Sequence, residues 1–197
     1  METQKSGGTG ENERDTVTDP RMIRALAHPA RLAIVEHLGS TSSTATATEL
    51  ADLVGLSPSA TSYHLRAMAK VGLVEPAEGR GDGRERLWRA VGGGWQIEGD
   101  SSGGPERVEA ERAFLAVILA RSDDRVAEWL AHEPEAPPEW AAAMSILDTQ
   151  LVVTPTELEA INAAYLELLH PFQRRKRPDP PAGARTVTAH YRVVPSR

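Results

Sequence analysis

The stretch "SPSATSYHLRAMAKVGLV" runs from Ser57 to Val74. A serine followed by a proline opens a helix: the hydroxyl caps the first free amides, and the proline ring suits the first helical position. Gly72 closes it. Between these ends, Thr61, Leu65, Met68 and Gly72 recur at helical spacing and form an inward face. Ser59, Tyr63, Arg66 and Lys70 take the same spacing on the outward face. A helix that must only be soluble carries mixed Glu and Lys there. This one carries hydroxyls, an aromatic ring with a polar tip, and positive charge alone. Those groups suit base edges and phosphates in a major groove. Ser62 and His64 flank the stripe within reach of phosphates. The bland alternative is the solvated face of a small bundle.

Upstream, Asp19-Pro20 starts a helix, and His28-Pro29 ends it and begins another. Leu32, Val35 and Leu38 give that second helix its apolar stripe, and Gly39 stops it. Thr46-Ala47-Thr48-Glu49 is a capping box opening a short helix through Leu50, Leu53 and Val54. Gly55 breaks that helix, and small Ala51 lets its neighbour approach. Downstream, "LVEPAE", "GRGDGR" and "ERLWRAV" read as strand, glycine-rich turn and strand. The turn and its flank carry Arg80, Arg84 and Arg86, a basic tip suited to a phosphate backbone or a minor groove. An ordinary hairpin with a charged edge is the alternative. Helix, helix, short helix, turn, helix and basic hairpin, in that order, favour a DNA-binding winged helix.

The signatures "LAHPARLAIVEHL", "ELADLVGLS" and "SYHLRAMAKVGLV" resemble those of the ArsR-like winged helix-turn-helix transcriptional regulators, over about residues 20–91. The resemblance implies that Ser57 to Gly72 is the recognition helix and that the protein binds double-stranded DNA as a homodimer. By position, Ser62, Tyr63 and His64 match the family's base- and phosphate-contacting stretch. Thr61 departs from the pattern, which usually has Val or Ile there. Better-known members sense metals through cysteine ligands. This chain has no cysteine, so that mechanism does not carry over. Asp124, Glu128 and His132, four residues apart on one helix face, are the remaining set of hard or borderline ligands, and solvated side chains are the commoner reading. We expect no metal site and no cofactor.

Net charge is −6, which by itself argues weakly against a nucleic-acid partner. Residues 20–91, however, carry nine Arg/Lys against seven Asp/Glu, whereas residues 92–197 carry eleven against sixteen. Local charge, not the total, governs electrostatic binding. The longest apolar run, Ala113 to Ala120, is too short to span a membrane. With the polar N-terminal stretch and the lack of cysteine, it gives a cytoplasmic expectation.

The expected architecture is mainly α with small β. It comprises a disordered tail over 1–18, a winged helix-turn-helix over 19–91, a flexible linker over 92–105 and a dimerisation or effector region over 106–197. Glu106 to about Leu130 reads as one helix, apolar all round from Ala113 to Ala120 and so in need of cover on every face. Ser145–Val153 and "RTVTAHYRVVP" alternate as strands. Between them, Thr154-Pro155-Thr156-Glu157 caps a helix with Leu158, Ile161, Tyr165, Leu168 and Phe172 along one side. A small α+β module follows. The tail resembles the C-terminal region of an ArsR-like subgroup, which implies an interaction or effector region. Trp129, Trp140, Tyr165 and Tyr191 read as a core or as the lining of an apolar pocket. "RRKR", Arg174 to Arg177, sits past a helix end, where cations are favoured.

No phosphate-binding loop, GxSxG or His-Glu-x-x-His is present, so no catalytic residues are assigned and an enzyme is not expected. The competing readings are a winged-helix interaction or dimerisation module without DNA binding, and the regulatory part of an enzyme.

Overall fold

The computed structural model describes residues 15–78, 86–92, 95–96 and 104–195. The chain divides into two compact units, Met1–Val117 and Ile118–Arg197. In the first unit the elements follow the expected order. They are β1 (Asp15–Thr16), α1 (Pro20–Leu26), α2 (Pro29–Thr41), β2 (Ala45–Thr46), α3 (Ala47–Val54), α4 (Pro58–Ala69), β3 (Val74–Ala77), β4 (Leu87–Ala90) and β5 (Trp95–Gln96). The helix α5 (Gly104–His132) begins in this unit and continues into the second.

Local chemistry explains the boundaries. Asp19 accepts the Arg21 amide at the start of α1. Thr46 Oγ1 accepts from the Glu49 amide, and the Glu49 carboxylate accepts from the Thr46 amide at 2.7 Å, closing the capping box of α3. Gly55 ends α3 at φ +66°, a conformation that a side chain would strain. Ala51, buried in α3, receives the Leu56 amide at the turn. β3 and β4 form the antiparallel hairpin, with Val74 opposite Ala90 and Ala77 opposite Leu87. β2, not foreseen in the sequence, adds a third strand on the other side of β4.

Ile23, Leu26, Leu32, Ile34, Leu38, Leu50, Leu65, Met68 and Val74 are fully buried and make the core of this unit. Three details depart from expectation. α2 does not stop at Gly39 but runs through it to Thr41 and ends on Ser42 at φ +49°. Of the tail expected over 1–18, residues 1–14 lie outside the described residues, but its last part is structured: Asp15–Thr16 pairs parallel with Trp95–Gln96, and Val17 is buried. The unit also extends past the composition break near residue 105, because the first turns of α5 bury Arg107, Ala110 and Phe114. Glu106 pairs with Arg24 of α1 at 3.2 Å.

Thr61 carries the family departure into the core. It is fully buried, and its hydroxyl has no hydrogen-bond partner. An unpaired buried hydroxyl costs free energy that an apolar group of the same shape does not. Thr61→Val should therefore raise the stability of this unit by about 1 kcal/mol. A denaturant titration showing a loss instead would mean that the hydroxyl has found a partner.

The second unit contains the rest of α5, α6 (Pro138–Ala143), α7 (Pro155–Leu169) and short 3-10 turns. α7 starts on the expected capping box, Thr154 with Glu157. The two expected strands do not form: 144–154 and 184–195 contain no regular element. Alternation supplies a possible face but no partner, and an isolated two-stranded ribbon is marginal in water. Ile146 and Leu147, neighbours that a strand would send to opposite faces, are both exposed, at 70% and 83%. A ring pair, Tyr191 stacked on Tyr165 at 4.2 Å, joins the C-terminal segment to α7.

Candidate nucleic-acid interface

α4 is seated by its inner face. Thr61, Leu65 and Met68 are fully buried, and α4 packs against α1, α2, α3 and β3. Ser59, Tyr63, Arg66 and Lys70 are all exposed, Tyr63 at 62%. The two stripes read from the sequence are therefore the two faces of the helix. Ser57 is the N-cap: its Oγ accepts from the Ala60 amide at 3.2 Å, so this hydroxyl is occupied in shaping the helix. Lys70 caps the far end.

A groove of about 270 Å³ opens beside α4, lined by Thr46, Thr48, Ser62, Arg66, Arg86 and Trp88. It brings together the start of α3, the middle of α4 and the foot of the hairpin. Two guanidiniums and three hydroxyls line one recess, and the Arg86 guanidinium lies 5.9 Å from the centre of the Trp88 ring. Such a lining offers donors to an anion such as a backbone phosphate. Nearby, Arg89 is held by Glu75 across the hairpin at 2.6 Å, which separates a structural arginine from the others. Arg80 and Arg84 lie outside the described residues. Thr46 and Thr48 escaped the sequence reading because their capping-box pattern already had a structural explanation.

His64 is half-buried. Its ring stands 4.6 Å from that of His28 at the α1–α2 junction, and Arg31 Nε donates to its Nδ1 at 3.3 Å. Tyr63 meets it edge-on at 5.8 Å. Burial lowers the pKa of His28 below the ordinary histidine value, with the Arg31 charge adding to the effect. Burial likewise lowers that of His64, followed by the charges of His28 and Arg31. Both rings are therefore neutral at pH 7. On acidification the unfolded chain binds protons first, near pH 6.5. Stability is thus full above that value and declines as pH falls through the folded pKa values. The melting temperature should drop between pH 7.5 and 5.5, and the drop should shrink when both histidines are replaced by glutamine. An unchanged slope in that variant would place the titration elsewhere.

In the second unit, His132 Nδ1 bonds to the Glu128 carbonyl at 2.8 Å. Among the described residues no three His, Asp or Glu side chains stand together as metal ligands, and Asp124, Glu128 and His132 do not converge. Of the four aromatics, Tyr165 and Tyr191 meet, and Trp140 lies under Arg185 at 5.4 Å. Arg177 lies over Phe172 at 5.3 Å. Among the described residues no helix is long and apolar enough to cross a membrane.

Residues 26–77 match the family model of a helix-turn-helix domain. No curated protein matches the chain. Among solved structures, a "possible transcriptional regulator for arsenical resistance" is 29% identical, covering 55% of this chain and 94% of its own, with a TM-score of 0.32. A mutant of Lactococcus lactis ZitR in its apo form is 15% identical, covering 75% of this chain and 84% of its own, with a TM-score of 0.33. The family match over residues 26–77 spans α2, β2, α3, α4 and β3, and it identifies that stretch of the chain as a helix-turn-helix domain.

Proposed function

We propose that the protein is a cytoplasmic, non-enzymatic homodimer that binds an inverted-repeat operator and represses transcription by occupying it. The observation that carries this reading is the division of α4: Thr61, Leu65 and Met68 sealed in the core, Tyr63, Arg66 and Lys70 presented outward beside a groove shared with Arg86. Two such helices would enter successive major grooves about 34 Å apart. Ser59, Ser62, Tyr63 and Arg66 supply selectivity, while Lys70, Arg80, Arg84 and Arg86 supply phosphate contacts.

Support for a second copy comes from α5. Leu115, Leu119, Val126 and Leu130 recur at i, i+4, i+11 and i+15, and each is at least a third exposed. A seam of that spacing is what a partner helix covers. The test is binding of the full chain to duplexes selected from a random pool, with mass measured in parallel. A protein that stayed monomeric and ignored every duplex at low salt would overturn the proposal. Arg84→Ala should weaken binding to all sequences alike and reduce the slope of log K against log salt by about 1. A sequence-dependent loss would instead assign Arg84 to base reading.

A further inference from the structure

The signature "HPAR", His28 to Arg31, lies outside the recognition helix, yet two of its side chains meet that helix at one residue. An arginine only donates hydrogen bonds. Since Arg31 Nε donates to His64 Nδ1, that nitrogen accepts, and the proton of the neutral ring sits on Nε2. His28 covers one side of the same ring at 4.6 Å, and its own buried Nδ1 has no partner beyond its residue's backbone. The Nε2 of His64 is not among the buried unpartnered atoms. Among the described residues nothing bonds to this nitrogen either, so it is open to an acceptor from outside, one residue from the exposed Tyr63.

We propose that Arg31 is a positioning residue for DNA recognition: through Nδ1 it fixes the tautomer and orientation of His64, so that a neutral ring offers its Nε2–H to a phosphate oxygen or a base acceptor. The inference rests on the DNA-binding reading above. It gives His64 the role of a directional donor, in place of a cation. The groups facing the ring are consistent with that role. They are Arg31 from α2, His28 from the α1–α2 junction and Tyr63 on α4 itself, and among the described residues no carboxylate pairs with either histidine. Nothing in this cluster favours the imidazolium, and burial disfavours it. A donor held in one tautomer arrives at DNA pre-organised, which spares the cost of choosing it on binding.

The test uses the full chain with Arg31→Met and His64→Gln, singly and together. Glutamine places an amide donor near the position of Nε2 and does not depend on a tautomer. Nitrogen-15 NMR of the histidine rings should show His64 as the Nε2–H tautomer in the wild type and as a mixture in Arg31→Met. Affinity for the selected duplex should fall about tenfold in Arg31→Met, with the salt slope unchanged. In the His64→Gln background, Arg31→Met should have no further effect.

A tenfold loss that persists in that background would show Arg31 acting on its own, and the proposal would fail. A salt slope reduced by about 1 would identify Arg31 as a direct phosphate contact, and the proposal would fail on that result too. An Nδ1–H tautomer in the wild type would also overturn it. Failure of the wild type to bind any duplex would instead bring down the DNA reading itself and this inference with it.

Discussion

Truncating Leu65 to alanine lowers the stability of the first unit by about 2–5 kcal/mol. The side chain has no solvent exposure and lies on the face of α4 that packs against α1, α2, α3 and β3. Its removal loses the transfer free energy of the buried methyl groups and leaves a cavity that rigid neighbours only partly fill. Natural domains have few kcal/mol to spare, so DNA binding at 37 °C should be lost along with the fold. Chemical denaturation followed by helical circular dichroism measures the change. A loss below about 1 kcal/mol would mean that α4 is not seated as described. The contrast with Thr61→Val, one turn earlier on the same buried face and expected to act in the opposite direction, guards against a trivial explanation.

Arg66→Ala comes next in size, and it acts on binding. Arg66 is exposed on α4 and also lines the groove with Ser62 and Arg86. A guanidinium reading a guanine edge contributes about 1–3 kcal/mol of discrimination. The variant should lose that preference at particular base pairs while keeping its fold and most of its salt slope. Binding to matched and scrambled duplexes measures the difference. If Arg66→Ala and Arg84→Ala weakened both duplexes equally, selectivity and affinity would not be divided between helix and wing as proposed.

The first unit was legible in the sequence because its punctuation is chemical. Asp19-Pro20, His28-Pro29, the Thr46–Glu49 box, Gly55 and Ser57-Pro58 each satisfy or break backbone hydrogen bonds locally, and their meaning does not depend on distant residues. The stripe of Thr61, Leu65 and Met68 was readable for the same reason: helical period fixes a face. β2 was missed because two residues carry no period. The cluster of His28, Arg31 and His64 was missed because its members lie 33 residues apart in the case of Arg31 and His64. Nothing in either local pattern announces the other.

The C-terminal strands failed for the converse reason. Alternation in 145–153 and 185–193 is a statement about faces, and faces become strands only when a neighbour supplies the ladder. In the described chain 144–154 and 184–195 stay irregular.

The short parallel pairing of β1 with β5 has a practical consequence. Asp15 lies opposite Trp95, so the backbone just ahead of α1 and the backbone just after the hairpin run side by side, about 5 Å apart. Joining those points with a few residues would cost little closure entropy. New termini cut at the Gly55 turn would then yield a circularly permuted form of residues 15–96, which lacks the α5 turns that bury Arg107, Ala110 and Phe114.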